Sequence, residues 1–189
     1  YDKRNQKFNT SDGFRSFYSV DLPLISDNNT LTNLYNYKVF SELYEDNISS
    51  ISLSLSSANS ITNDDVKLSE RLYIPGKKLR GFVRGRVGPK DGADYIGGNY
   101  YAIINFSSTL PQILPNFQNV DFATFVDVAN LWGVDDKSLD DSSKIRSSIG
   151  LGVDWFTAVG PLSFSFAQPI TKDSNDQTET FRFNLGTTF

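Results

Sequence analysis

The 189-residue chain contains no cysteine and no histidine. The first absence removes disulfides, thiolate nucleophiles and zinc-thiolate sites, and the second removes the commonest general base and metal ligand. Serines are many, but there is no G-x-S-x-G elbow and no histidine to activate one. Most enzyme mechanisms therefore lose their usual residues, no nucleotide-binding loop stands out, and neither metal nor cofactor is expected. Long apolar runs are missing as well: nothing approaches the ~18 residues of a membrane helix, and mean hydropathy is negative. That excludes helical spans only. A barrel strand turns every second side chain to lipid, so its mean hydropathy stays low even when it crosses a bilayer. The sequence opens at Tyr1 without a basic or apolar leader, so any targeting signal is expected to have been removed or to lie upstream, and the chain reads as a fragment. A net charge of -4 argues against a general affinity for nucleic acid.

What the chain has is alternation with a period of two, recurring in segments of about ten residues between polar or glycine-containing turns. In the last segment Phe181, Phe183, Leu185 and Phe189 share one face, and Arg182, Asn184, Gly186 and Thr188 the other. Before it, Leu162, Phe164 and Phe166 alternate with Ser163, Ser165 and Ala167, and Gly160-Pro161 reads as a tight turn. Ile149, Leu151, Val153 and Trp155 alternate with Ser148, Gly150, Gly152 and Asp154, inward partners that are small or polar. Phe122, Val126 and Val128 alternate with Ala123, Asp127 and Ala129, and Tyr100, Ala102, Ile104 and Phe106 oppose Tyr101, Asn105 and Ser107. Upstream, Ile51, Leu53 and Leu55 alternate with serines, Tyr35, Tyr37 and Val39 with Asn36 and Lys38, and Tyr18, Val20 and Leu22 with Ser19 and Asp21. Eight strands are expected.

Alternation alone does not say which face is wet, and a soluble sandwich would also alternate. The faces rich in Ser, Asn, Gly and charge, and the aromatics near strand ends, favour lipid outside. A terminal aromatic residue is also hard to place in a soluble domain, whose last residues usually fray. Connections near 25 to 33, 111 to 118 and 133 to 143 are modest, whereas Ser60 to Gly98 runs without a sustained strand pattern. Unstructured loops beyond ~12–15 residues are usually functional or disordered. This one carries Leu72-Tyr73-Ile74-Pro75, Leu79-Arg80-Gly81-Phe82 and Val87-Gly88-Pro89-Lys90, an apolar stretch suited to folding back inside a wide barrel.

Leu79-Arg80-Gly81-Phe82 resembles the (V/L/I)-R-G-(F/Y) motif of the outer-membrane assembly and secretion superfamily. Gly88-Pro89-Lys90, the run from Gly160 to Pro169 and the ending from Phe183 to Phe189 are most similar to the assembly-factor branch. The resemblance covers about Asp12 to Phe189. It implies an all-β fold: the eight C-terminal strands of a sixteen-stranded antiparallel transmembrane β-barrel over residues 1–189, with Ser60 to Gly98 as an extracellular loop folded into the lumen. POTRA repeats and the N-terminal strands would lie upstream. The resemblance further implies that Arg80, with Gly81 and Phe82, locks the loop on the inward Asp127, an arginine fork on a carboxylate being a strong, often bidentate bond. Two departures are visible: the family commonly has Gly where Ala129 stands, and a second acidic partner aligns with Ser107.

Lys77, Lys78, Arg80, Arg84, Arg86 and Lys90 read as a lumen-facing loop rather than a nucleic-acid patch. Asp135, Asp136, Asp140 and Asp141 lack the spacing of a calcium loop and read as solvated. The function the resemblance implies is non-enzymatic folding and insertion of β-barrel proteins into the cell outer membrane. The partners would be unfolded barrel precursors, accessory assembly lipoproteins and outer-membrane lipid. Phe181, Phe183, Leu185, Gly186 and Phe189 would form both a lateral seam and a C-terminal signal, with Gly186 easing bending. The alternatives are a two-partner-secretion-type polypeptide channel and a passive porin-like barrel. An open half-barrel is expected rather than a closed eight-stranded one, because so long a loop would overfill the interior of an eight-stranded barrel.

Overall fold

The structure is a computed structural model that describes residues 1–7, 10–23, 29–44, 47–62, 64–110, 119–136, 138–139, 141, 143–157 and 160–185. Its frame is one eight-stranded antiparallel sheet in the order β1-β2-β3-β6-β7-β8-β9-β10. These strands are β1 (Gly13–Asp21), β2 (Thr30–Tyr44), β3 (Asn47–Ser60), β6 (Tyr100–Thr109), β7 (Val120–Trp132), β8 (Arg146–Thr157), β9 (Gly160–Thr171) and β10 (Phe181–Leu185). Between β3 and β6, single 3₁₀ turns form at Leu68–Glu70 and Gly76–Lys78, and β4 (Lys90–Asp91) pairs with β5 (Asp94–Tyr95) in a small ribbon. Each sheet strand bonds its sequence neighbour, and β1 and β10 are the two edges, so the sheet is open. Residues near the N-terminus lie along β1: Ser16 N donates to Tyr1 O and Lys3 N to Phe14 O, each at 2.8 Å.

The pairing register carries the alternation across strands. Val39 faces Ile51, Ile51 faces Phe106, Leu53 faces Ile104 and Ile104 faces Val128. Further along, Val126 faces Ile149, Leu151 faces Phe166, and Phe166 faces Phe181. Cross-strand partners share a face, so these residues form a continuous apolar band, and Ile51, Ile104, Phe106, Ile149, Leu151, Phe166, Phe181, Phe183 and Leu185 on it are exposed. A band of this extent is what lipid, not water, solvates. At the ends of the band sit Trp155 on one rim and the stacked Tyr100–Trp132 pair, 5.9 Å between centroids, on the other. The first rim is closed by the connections 45–46, 110–119 and 158–159, the second by 22–29, 61–99, 133–145 and 172–180. Two of the three connections on the first rim are two residues long, whereas the second rim carries the longest, 61–99, an inequality familiar in outer-membrane barrels.

The opposite face is covered in part by the segment 61–99, chiefly over β6 and β7. Ile74, Leu79, Phe82 and Val87 from that segment pack with Tyr101, Ile103, Ala129 and Leu131 from β6 and β7 in one core. Small or polar inward residues were expected on β8. That holds there, where Ser148 is buried, and also on β3 and β9, where Ser54, Ser163 and Ser165 are buried, but β6 and β7 carry large apolar residues inward. Those strands are apolar on both faces because one meets lipid and the other meets the folded-in segment.

Two boundaries also differ from the expectation. The strand β2 begins at Thr30 rather than after 33, since Thr32 and Asn33 already pair with Asp21 and Val20. Polar residues there hid the strand. The end of β3 at Ser60 agrees with the expected start of the long loop, the serines at 56 and 57 pairing with Leu34 and Asn33. Gly160 and Pro161 are not the turn: they open β9 and pair with Thr157 and Phe156, a position where a strand tolerates proline.

Candidate functional site: a locked loop beside an edge strand

Arg80 leaves the 3₁₀ turn at Gly76–Lys78 and enters the inward face of β7. Its Nε donates to Asp127 Oδ2 at 2.8 Å and its Nη2 to Oδ1 at 2.7 Å, a bidentate fork, while its backbone N–H adds a third bond to Oδ2 at 3.0 Å. The guanidinium lies 3.4 Å from the centroid of the Phe125 ring, which adds cation–π attraction. Arg80 is 5% exposed and Asp127 0%. A solvated loop charge beside a wet carboxylate is therefore not what the fold contains.

Around this pair the polar groups are matched. Asn105 faces Asp127 in the β6–β7 register, and its Nδ2 donates to Asp127 Oδ1 at 2.8 Å and to Lys78 O at 2.7 Å. Asn105, two positions before Ser107, is thus a further partner of the carboxylate. Sequence reading placed Asn105 inward without giving it a role, and only the register opposite Asp127 reveals one. Ser148 from β8 donates to the carbonyl of Arg80. Lys78 donates to Ser54 Oγ at 2.6 Å; burial pushes its ammonium below the ordinary lysine range, and the attraction of Asp127 opposes that shift.

Gly81 has φ +89°, a region that costs an L side chain strain. A methyl there would also lie 3.2 Å from Ala167 Cβ and 3.3 Å from Ser148 Cβ. Glycine lets the chain reverse against β8 and β9 and drop Phe82, 1% exposed, into the core. Ala129, where the family commonly has glycine, is buried in that same core.

On the edge strand, Phe181, Phe183 and Leu185 point outward and are exposed, with Phe166–Phe181 and Phe164–Phe183 centroids 5.0 and 5.2 Å apart. Gly186 and Phe189 lie outside the described residues. Two arginines were missed as site residues. Arg146, 0% exposed at the start of β8, grips Asp176 through Nε to Oδ2 at 2.9 Å and Nη2 to Oδ1 at 3.1 Å. Arg182, inward on β10, reaches Gly76 O, Phe82 O and Glu179 Oε1. No motif marks either one; both depend on loops meeting in space.

The basic run is partly consumed by the fold: besides Arg80 and Lys78, Arg86 and Lys90 lie over the Tyr95 ring at 5.6 and 4.9 Å. In the acidic loop, Asp135 accepts from Val66 N and Asn99 Nδ2, and Asp141 from Gly133 N. Among the described residues no group of three acidic, His or Cys side chains is arranged to hold a metal.

An open antiparallel sheet with lipid-type residues on one face and a locked, folded-in loop on the other is the wall of an outer-membrane β-barrel. The chain belongs to the Omp85 superfamily, whose domain matches residues 1–189. It is 31% identical over 158 residues to the outer membrane protein assembly factor BamA of Neisseria meningitidis, an alignment covering 66% of this chain and 19% of that protein. It is 33% identical over 140 residues to a SAM50-like protein of Schizosaccharomyces pombe, covering 67% of this chain and 29% of that protein. The crystal structure of BamA from Haemophilus ducreyi lacking POTRA domains 1–3 superposes with a TM-score of 0.82 at 26% identity, over 97% of this chain and 40% of that one. The chain thus spans well under half the length of the relatives it matches. It is a BamA-like Omp85 barrel segment, and its location is the outer membrane.

Proposed function

We propose that this chain is the C-terminal half of a sixteen-stranded barrel that folds and inserts other β-barrel proteins into the outer membrane, without enzymatic chemistry. The N-terminal strands and POTRA repeats would precede it, and unfolded barrel precursors and accessory lipoproteins would be its partners. The observation that supports this reading is the likeness to BamA together with a loop locked on the inward face beside β10, the strand that would meet the first strand of the full barrel. An edge strand offers a row of N–H and C=O groups to an incoming strand. Each new ladder bond removes unsatisfied backbone from lipid, where such groups cost several kcal/mol, so insertion can proceed downhill without nucleotide.

The buried inward face favours this over a passive pore, since the segment 61–99 occupies the space a simple channel would keep open. Depletion of the full-length protein in its own cell tests the reading: many outer-membrane barrels should fall together. Loss of one exported polypeptide with barrels unaffected would instead support the secretion channel. A cysteine pair welding β10 to the first strand of the full barrel should stop assembly while leaving the barrel folded.

A further inference from the structure

The loop that carries Arg80 is bonded not only to β7 but to the chain that leads into β10. Phe82 bridges Thr178 in antiparallel fashion. Around that bridge Val83 N donates to Gln177 O at 2.9 Å, Gln177 N to Arg86 O at 3.1 Å and Glu179 N to Gly81 O at 3.1 Å. The segment 81–86 therefore forms a short ladder with 177–179, immediately before the edge strand. Arg182 closes it. One guanidinium reaches Gly76 O through Nη1, Phe82 O through Nη2 at 2.5 Å and Glu179 Oε1 through Nε at 2.5 Å. Gly76 leaves the room for this, as a methyl there would lie 3.0 Å from Arg182 Nη1. The far end of the 172–180 connection is held separately, by Arg146 on Asp176 and by Asp173 N donating to Asp176 Oδ2 at 2.7 Å.

We propose that Arg182 is a positioning residue that couples the folded-in loop to the edge strand, so that β10 peels away only when the loop lock yields, and the reverse. The proposal rests on the lateral-seam reading for its use in assembly, but the coupling itself is a property of these bonds. The physical reason is that three parts share one cation. Two carbonyls of the loop and a carboxylate of the 172–180 connection all accept from a side chain rooted on β10. If β10 moves, two loop carbonyls lose a charged donor, the stronger class of hydrogen bond. If the loop leaves, Arg182 keeps Glu179 alone and the ladder at 177–179 is lost.

Amide hydrogen exchange on the full-length protein in lipid nanodiscs tests this, with β2 and β3 as internal controls for an intact fold. Arg182→Ala is expected to raise exchange on the order of tenfold or more across 76–86 as well as 177–185. Asp127→Asn, which acts on the loop lock from β7, is expected to raise exchange at 177–185 as well as at 76–86. Arg182→Lys keeps the charge but not the fork and should give an intermediate effect at both segments; with Glu179→Gln it carries the test if Arg182→Ala does not fold. Loosening of 76–86 by Asp127→Asn with 177–185 unchanged overturns the coupling, as does loosening by Arg182→Ala confined to 177–185. Assembly of a client barrel, measured in parallel, separates the two readings. Coupled exchange with no assembly by the wild type sinks the assembly function and leaves the coupling standing; uncoupled exchange with normal assembly does the opposite.

Discussion

Asn105 and Asp127 face each other across the β6–β7 pairing, and the amide of one completes the hydrogen-bonding of the other: Nδ2 donates to Oδ1 at 2.8 Å while Arg80 holds both carboxylate oxygens. The same Nδ2 also fixes Lys78 O, so Asn105 ties the start of the loop to the carboxylate that anchors it. The two facing side chains should therefore rank by what their loss leaves behind. Asp127→Ala strands a buried guanidinium and is expected to cost about 3–5 kcal/mol. Asn105→Ala removes hydrogen bonding to a charged acceptor and is expected to cost about 1.5–3 kcal/mol. Urea unfolding of the refolded barrel in vesicles checks the order. An Asn105→Ala cost equal to that of Asp127→Ala would mean the arginine is not the dominant partner.

Gly81 and Gly85 offer a matched pair for the loop backbone. Both have positive φ, +89° and +69°, but a Cβ on Gly81 meets Ala167 and Ser148, and one on Gly85 meets nothing within 4 Å. Backbone strain alone is roughly 1–2 kcal/mol for a left-handed residue. Gly85→Ala should show that much and no more, and Gly81→Ala should exceed it because β8 or β9 must also move. The temperature at which the barrel loses its folded electrophoretic mobility reads both. Equal shifts would show that the Gly81 contacts relax freely.

The alternation made the sheet legible because the period-two signal survives wherever one face meets lipid: Ile149, Leu151 and Val153 read clearly against Ser148, Gly150 and Gly152. It faded where both faces are apolar, as at Tyr101, Ile103 and Phe125, and where strands rise beyond the band into polar residues, as at Thr30 to Asn33. The Arg80–Asp127 pair came from the motif, not from periodicity. Asn105, Arg146, Asp176 and Arg182 had no comparable signal. Each finds its role only when a register or a meeting of two loops is fixed, and a single sequence encodes neither locally.

The outward face is testable by charge. Ile104 sits mid-strand in β6 between Leu53 and Val128 and is half exposed in the apolar band. An arginine on the lipid face costs about 2–4 kcal/mol near the bilayer midplane and much less toward its edges. Ile104→Arg should fall in the upper range, whereas Ser107→Arg, on the inward face of the same strand, should stay within about 1 kcal/mol. Reversed costs would turn the sheet inside out and place water on the apolar band.

Arg146 and Asp176 form the most buried ion pair of the described residues, with side chains 0% and 1% exposed. Removing one partner should be worse than removing both. Arg146→Met leaves an uncompensated carboxylate and is expected to cost about 3–5 kcal/mol, whereas replacing a buried pair with apolar residues of similar volume is often neutral or stabilising. The double change Arg146→Met with Asp176→Leu should therefore recover much of the loss. Recovery will be incomplete, because Asp176 also accepts from the backbone of Asp173 and that N–H would be left without this acceptor. A double-mutant cycle on unfolding free energy gives the coupling directly. A coupling near zero would mean that each residue is held by its other neighbours, Arg146 by Lys144 O and Asp176 by Asp173 N, and that the 172–180 connection owes its position to its other contacts, the ladder with 81–86 and Arg182 on Glu179 among them.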